Sequence, residues 1–336
     1  MLRVVLAAAA AASVVLAVPQ GINFQAVNEA PTPTPTAQGP PIAAVKEVPT
    51  YKPAAAAQEA AADAAADPVT AEKRSLFARA ACDRQPQGAG PVTSPDTAQD
   101  FLANKQYSDI ANGAATPQGY SLVFQDLQGA TQQNGYLGFY TLNSYDTIKC
   151  QQLCDSTATC TAFNTYIERD PSLEPGADCP NPPSTVNYKC SLYGLPVSNT
   201  TATNTGQWRA DFQVVITGSN GYLKNAPPPS YPGFSGPEAL GGAIDVPVAE
   251  GNGSYLGVKI YPGPYDPGQC VGACQATTDC NFFNSYILSK NNSPVGTYCS
   301  FYDRAWDRSY ATNFGQYDQE GNYYSVSSSY SYTLTN

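Results

Sequence analysis

The chain contains no histidine, and this absence restricts its chemistry more than any motif it carries. Without imidazole the commonest general base and the commonest metal ligand are both missing, which excludes Ser-His-Asp, Cys-His and zinc-hydrolase arrangements. Carboxylate pairs are the catalytic option that remains. Glu168, Asp170 and Glu174 cluster as a glycosidase pair could. Pro171 and Pro175 lie among them, however, and the matching stretch of a second sequence copy, Leu288-Ser289-Lys290, has no acid. They read as a solvated charged loop. Gly233-Phe234-Ser235-Gly236 lacks the frame of a nucleophile elbow, and Gly251-Asn252-Gly253 alone does not make a phosphate loop. No catalytic, cofactor-binding or metal-ligating residue is assigned, and the chain reads as non-enzymatic.

Ten cysteines are the other chemical resource, all of them beyond residue 81. A thiolate metal site would need a reducing compartment, and the N-terminus points elsewhere. Arg3 precedes an apolar run from Val4 to Val18, and Val15-Leu16-Ala17 closes it as a cleavage site, the layout of a secretory signal peptide over residues 1–17. The run is shorter than the roughly 20 residues a spanning helix needs, so the mature chain is expected to be soluble and secreted, to the medium or the cell wall. A retained N-terminal anchor is the alternative. An even cysteine count in a secreted chain then reads as a disulfide framework.

From Pro19 to Lys73 the composition is Pro, Thr and Ala, with Pro31-Thr32-Pro33-Thr34-Pro35-Thr36 followed by the Ala-rich run Ala54 to Ala66. Such a segment is expected to stay disordered, because it buries too little apolar surface to offset its ordering entropy. It ends at Lys73-Arg74, which looks like a dibasic site for the kexin-type proteases of the fungal secretory pathway. Residues 18–74 therefore read as a disordered propeptide, with a retained flexible stalk as the alternative. The rest has 12 basic and 21 acidic residues, a net charge of −9. An acidic surface repels phosphate backbones and anionic headgroups, so neither nucleic acid nor membrane is an expected partner.

Cysteine spacing exposes an internal repeat. Cys150, Cys154 and Cys160 form Cys-x3-Cys-x5-Cys, and Cys270, Cys274 and Cys280 repeat it. The match extends through Tyr136-Leu137-Gly138 and Tyr255-Leu256-Gly257, and through Tyr145-Asp146 and Tyr265-Asp266. It continues with Phe163-Asn164-Thr165-Tyr166 and Phe283-Asn284-Ser285-Tyr286, then with Cys190-Ser191-Leu192-Tyr193 and Cys299-Ser300-Phe301-Tyr302. Further on, Thr203 to Trp208 matches Thr312 to Tyr317. Two domains of one fold follow: an N-terminal extension over 75–118, domain 1 over 119–224, a Pro/Gly-rich linker over 225–242, and domain 2 over 243–336.

Asp146-Thr147 and Asp266-Pro267 are N-cap signals for a helix of about three turns that carries two cysteines on one face. Each cysteine should staple the helix to a different strand. The runs Thr161 to Ile167, Tyr188 to Tyr193 and Trp208 to Ile216 are aromatic and β-branched and read as strands. The expected unit is α+β: one helix crossing a small antiparallel sheet.

These residues resemble the PAN/apple domain family in the divergent apple-like form common in secreted fungal proteins. The helical Cys-x3-Cys, the third cysteine before an aromatic-Asn-x-Tyr strand and the fourth in Cys-Ser-Leu-Tyr carry the resemblance, over roughly Gly119 to Gly218 and Gly233 to Leu334. It implies the pairs Cys150–Cys190, Cys154–Cys160, Cys270–Cys299 and Cys274–Cys280. Cys82 and Cys179, both absent from the second copy, are then expected to pair with each other. It also implies an adhesive module that recognises extracellular protein or carbohydrate at a cell wall or host surface. A structural wall or matrix component without a discrete ligand site is the alternative.

Tyrosine-rich surfaces suit binding, since the ring gives contact area at low entropy cost. Rings matched between the copies are expected in the core, and Trp208 falls among them by position although it could anchor a ligand. Candidate contacts are Tyr120, Tyr140, Tyr188 and Trp208, with Tyr231, Tyr261, Tyr323, Tyr324, Tyr330 and Tyr332 as further rings outside the repeat frame. The extra cysteine pair makes the loops of domain 1 the better place to look. Asn199, Asn252 and Asn291 open glycosylation sequons in polar stretches.

Overall fold

The computed structural model describes residues 22–29, 46–65, 80–247 and 253–335. The signal peptide, the Lys73-Arg74 pair and the Asn252 sequon lie outside the described residues. Thirteen strands and six α-helices are described, and the chain forms two sheets. The first sheet runs β1 (Lys46–Glu47), β3 (Tyr136–Leu142), β5 (Ser184–Tyr193), β4 (Ala162–Pro171), β7 (Phe212–Lys224), β2 (Tyr120–Leu127), with β6 (Gly206–Arg209) also paired to β7. The second runs β12 (Gly315–Tyr317), β13 (Tyr323–Leu334), β10 (Phe282–Lys290), β11 (Ser293–Tyr302), β9 (Tyr255–Pro262), with β8 (Phe234–Ala239) on β13. Every pairing is antiparallel. Leaving β1 aside, the two sheets share one topology.

Each domain carries one helix on its sheet, α5 (Thr147–Asp155) or α6 (Pro267–Ala276). The Asp146 side chain accepts from the Lys149 amide and Asp266 from the Gly268 amide, so both helices start where the N-cap signals put them. Cys150–Cys190 and Cys270–Cys299 tie these helices to β5 and β11, while Cys154–Cys160 and Cys274–Cys280 tie them to the loops before β4 and β10. Cys82–Cys179 fastens the N-terminal extension to domain 1. The four bonds within the repeats are the pairs the resemblance implies, and the fifth joins the two cysteines left over. The helices cover only part of a long-stranded sheet, so the domains are mainly β and not α+β. Their cores are aromatic: Phe163 stacks on Tyr222 at 4.8 Å and the equivalent Phe283 on Tyr332 at 4.9 Å.

Three expectations fail, each for a local reason. Trp208 to Ile216 is a hairpin, because Ala210 at φ 49° reverses the chain between β6 and β7. The expected linker contains β8, so domain 2 begins at Phe234. An edge strand tolerates the Pro237 that makes this stretch read as a turn. The segment expected to be disordered contains ordered elements, α1 (Phe24–Glu29), β1 and α2 (Pro53–Ala65). Alanine has the highest helix propensity, and α2 finds an apolar surface outside itself to pack against.

Within the extension, α3 (Ala98–Ala103) and α4 (Lys105–Asn112) lie on β7 with Phe101 and Tyr107 fully buried. No helix among the described residues is long and apolar enough to cross a membrane.

Candidate functional site

The four candidate contacts do not converge. Tyr120 is buried on β2, with its hydroxyl donating to Asp155 at 3.0 Å, and Tyr188 is buried edge-on to Tyr145. Tyr140 is half-buried on β3, near the opposite side of the sheet from Tyr120, opposite Lys46. Trp208 is different: it is 66% exposed, and its repeat partner Tyr317 is 71% exposed. Both sit on the short outer strands β6 and β12, so the repeat match marks a shared surface position here and not a core one. Of the other matched rings, Phe163, Tyr166, Tyr193, Tyr265, Phe283, Tyr286 and Tyr302 are buried, and Tyr136, Tyr145 and Tyr255 are half-buried.

Glu168 and Asp170 are not in a solvated loop. They lie buried on β4, and because Tyr166 pairs with Lys189 of β5 across the sheet, all three side chains share one face. Lys189 forms ion pairs with Glu168 and with Asp170, the latter at 3.5 Å, while Asn187 donates to Asp170 at 2.7 Å. Burial, with the Asp170 charge adding to it and Lys189 opposing it, pushes the Glu168 carboxyl up to about 8. Two acids against one cation in a dry site favour a retained proton. Glu174, closer to the surface, pairs with Arg209.

Among the described residues a concave site lies between the domains, in a cleft of about 540 Å³. Leu223, Pro227 and the turn Thr157–Thr161 line it from domain 1 and the linker, and Tyr231, Ile287 and Tyr330 from the other side. Tyr231 and Tyr330 were among the rings outside the repeat frame. The domains meet behind it: the Tyr265 amide donates to the Gly194 carbonyl at 2.7 Å, and Leu195, Tyr265 and Ile287 bury one another. Asp266 is the buried charge of this wall. It accepts from Gly268 N at 2.9 Å, from Tyr51 OH at 2.8 Å and from Tyr231 OH at 3.5 Å. Burial raises its carboxyl above the ordinary value, against the pull of these donors. With its oxygens occupied by donors, Asp266 holds structure together and is not poised for proton transfer. Among the described residues no group of acids and cysteines could hold a metal ion. The site offers an apolar wall, ring faces and backbone polar groups, which is the equipment for binding.

Sequence reading missed Asp266 as a wall residue and Tyr51 as its partner. The only signal for the pair was the N-cap at Asp266, since Tyr51 lies 215 positions away.

Architecture and stapling together define a tandem of two disulfide-held helix-on-sheet modules. The family model for the PAN domain matches twice, over residues 126–171 and 256–300. These spans hold β3, α5 and β4 in one domain and β9, α6, β10 and most of β11 in the other, so the chain carries two PAN-like domains in tandem. No curated protein and no solved structure matches the chain.

Proposed function

We propose that this is a secreted, non-enzymatic binding protein that takes an extracellular carbohydrate or protein segment into the cleft between its two PAN-like domains, at a cell wall or host surface. PAN domains are in general protein- or carbohydrate-binding modules. The single observation that carries the reading is that cleft: it is concave, largely apolar and built jointly by both domains, with two tyrosines offering rings and hydroxyls. On this reading the place to look moves from the loops of domain 1 to the cleft that both domains line.

A structural wall component is the second reading, favoured by the rings Trp208, Phe314 and Tyr317, which stand exposed as surface contacts would. The test is capture of the full chain on wall polysaccharides and wall or host proteins. Ala226 lines the cleft and is exposed, so Ala226→Trp fills the site without disturbing a core. Ala226→Trp should lower capture about tenfold or more while Trp208→Ala leaves it unchanged, a difference that corresponds to about 1.4 kcal/mol. Capture lost in Trp208→Ala and kept in Ala226→Trp removes the cleft. No capture by a folded parent favours the structural reading.

A further inference from the structure

Residues 46–65 touch both domains and belong to neither repeat. At their start, Lys46 and Glu47 pair with Tyr140 and Phe139 as an added edge strand, and Tyr136 donates to the Glu47 carboxylate at 3.1 Å. In the middle, Tyr51 crosses to domain 2 and donates to Asp266. At the end, α2 lies against α6. Its inward positions are Pro53, Ala56, Ala57, Ala60, Ala61 and Ala64, while Gln58, Glu59 and Asp63 face out, which is the 3.6-residue period of an amphipathic helix written almost wholly in alanine. Ala60 is 1% exposed within the second core, and Ala64 packs against the same cluster.

The receiving helix is shaped for this contact. A Cβ on Gly272 would stand 2.2 Å from the Ala57 carbonyl oxygen, so glycine is required for the two helices to approach so closely. In the repeat, Gly272 corresponds to Gln152, which is exposed on α5 with no helix over it among the described residues, next to an exposed Ile148. The shared fold therefore does not need a small residue at this place. Gly138 on β3 differs: its backbone is at φ 147°, and the equivalent Gly257 is at φ 127° with nothing near it, so the fold itself demands glycine there. Of the two stapled helices, α6 is the smoothed one, and among the described residues it is the one with a helix docked on it.

We propose that the β3 edge and the smooth face of α6 form a peptide-docking surface for an extended segment followed by a small-residue helix. Residues 46–65 of the same chain are its built-in occupant. Cutting at Lys73-Arg74 turns this occupant from a tethered ligand into an exchangeable one. While the chain is intact, the tether holds the segment at an effective concentration in the millimolar range, so competitors are shut out. After the cut that advantage is gone, and a free segment of the same chemistry can take the place. The docking rests on contacts seen here and does not need the cleft to bind anything, although Pro53 and Asp266 also line the cleft and its wall would change with the occupant.

The experiment uses the folded full chain, half of it cut at Lys73-Arg74 with a dibasic-specific protease, and a fluorescein-labelled synthetic peptide of residues 46–65 in excess. After gel filtration the label should travel with the cut protein and not with the uncut one. Two altered peptides leave the protein untouched: Ala60→Glu, which places a carboxylate in the apolar contact, should be retained about tenfold less or worse, and Tyr51→Phe, which drops one hydrogen bond, by a smaller factor. Equal labelling of cut and uncut protein overturns the proposal, as does equal retention of the Ala60→Glu peptide. Failure of cut protein to take up label while its near-ultraviolet circular dichroism is intact also overturns it. Collapse of that spectrum on cutting would show residues 46–65 to be part of the fold and not an occupant, and would overturn it equally.

Discussion

Replacing Glu168 by glutamine should remove a pH dependence that the buried cluster builds into domain 1. The carboxyl rises from its ordinary 4.5 to about 8, first because burial disfavours its charge and next because Asp170 stands beside it. A carboxyl whose folded value lies above its unfolded one binds the proton more tightly in the folded state. Its stabilisation is therefore complete below pH 4.5 and is lost as pH rises through about 8. At about 1.4 kcal/mol for each pH unit between those values, the loss has a ceiling of about 5 kcal/mol. Glutamine carries no charge, can still accept from Lys189, and can donate to Asp170 as the protonated acid does. Urea unfolding with disulfides intact, repeated from pH 5 to pH 9, should show the parent losing stability across the range and Glu168→Gln holding level, so that the variant is the more stable at pH 9. Hydrogen exchange read on Ala162–Tyr193 assigns the change to domain 1. Lys189→Met should do the opposite, leaving two buried acids without a cation at a cost of about 3–5 kcal/mol at neutral pH. A parent whose stability is flat from pH 5 to 9, or a Glu168→Gln variant with the parent's slope, refutes the reasoning.

The disulfides make a graded set. Cys150–Cys190 spans 40 positions and Cys154–Cys160 spans 6, so loop-closure entropy makes the first worth about 4 kcal/mol and the second about 2. Unfolding of the paired serine variants should follow that order, and thiol labelling of the unreduced parent should find no free cysteine. Glycan occupancy should be uneven. Asn199 is exposed at the start of a short 3-10 turn, whereas Asn291 sits in the tight β10–β11 hairpin with its amide donating to Asn322 and its carbonyl accepting from Tyr323. Mass spectrometry of the secreted protein should find Asn199 occupied to a greater extent than Asn291, and equal occupancy would show that the hairpin does not restrict transfer.

What was legible in the sequence is what the repeat states twice. Cysteine spacing, the Asp146 and Asp266 caps and the aromatic strand patterns each occur in both halves, so each half checks the other, and the helix-on-sheet unit could be read from them. What stayed hidden depends on partners far along the chain. Glu168 and Asp170 beside two prolines look like a wet loop until the β4–β5 register brings Lys189, 21 positions on, onto their face. Trp208 looked like core because its counterpart is aromatic, yet a surface position can be kept aromatic in both copies as readily as a buried one.

The arm before Lys73-Arg74 was the hardest to read, and the reason is physical. An alanine run shows almost no hydropathy contrast, so its inward face is marked only by where Gln58, Glu59 and Asp63 are not. The contact it makes is also unlike a hydrophobic core, because small residues contribute by letting backbones approach and not by burying large side chains. Composition judges a segment by what it can bury alone, and α2 buries little alone. Gly272 is the complementary half of that information, and in a comparison of the two copies it is the departure from the repeat, glycine where the first has Gln152, that locates it. Differences between copies of a repeated fold mark what each copy does beyond folding, and here one of those on the stapled helix, Gly272 in place of Gln152, falls where the arm lies.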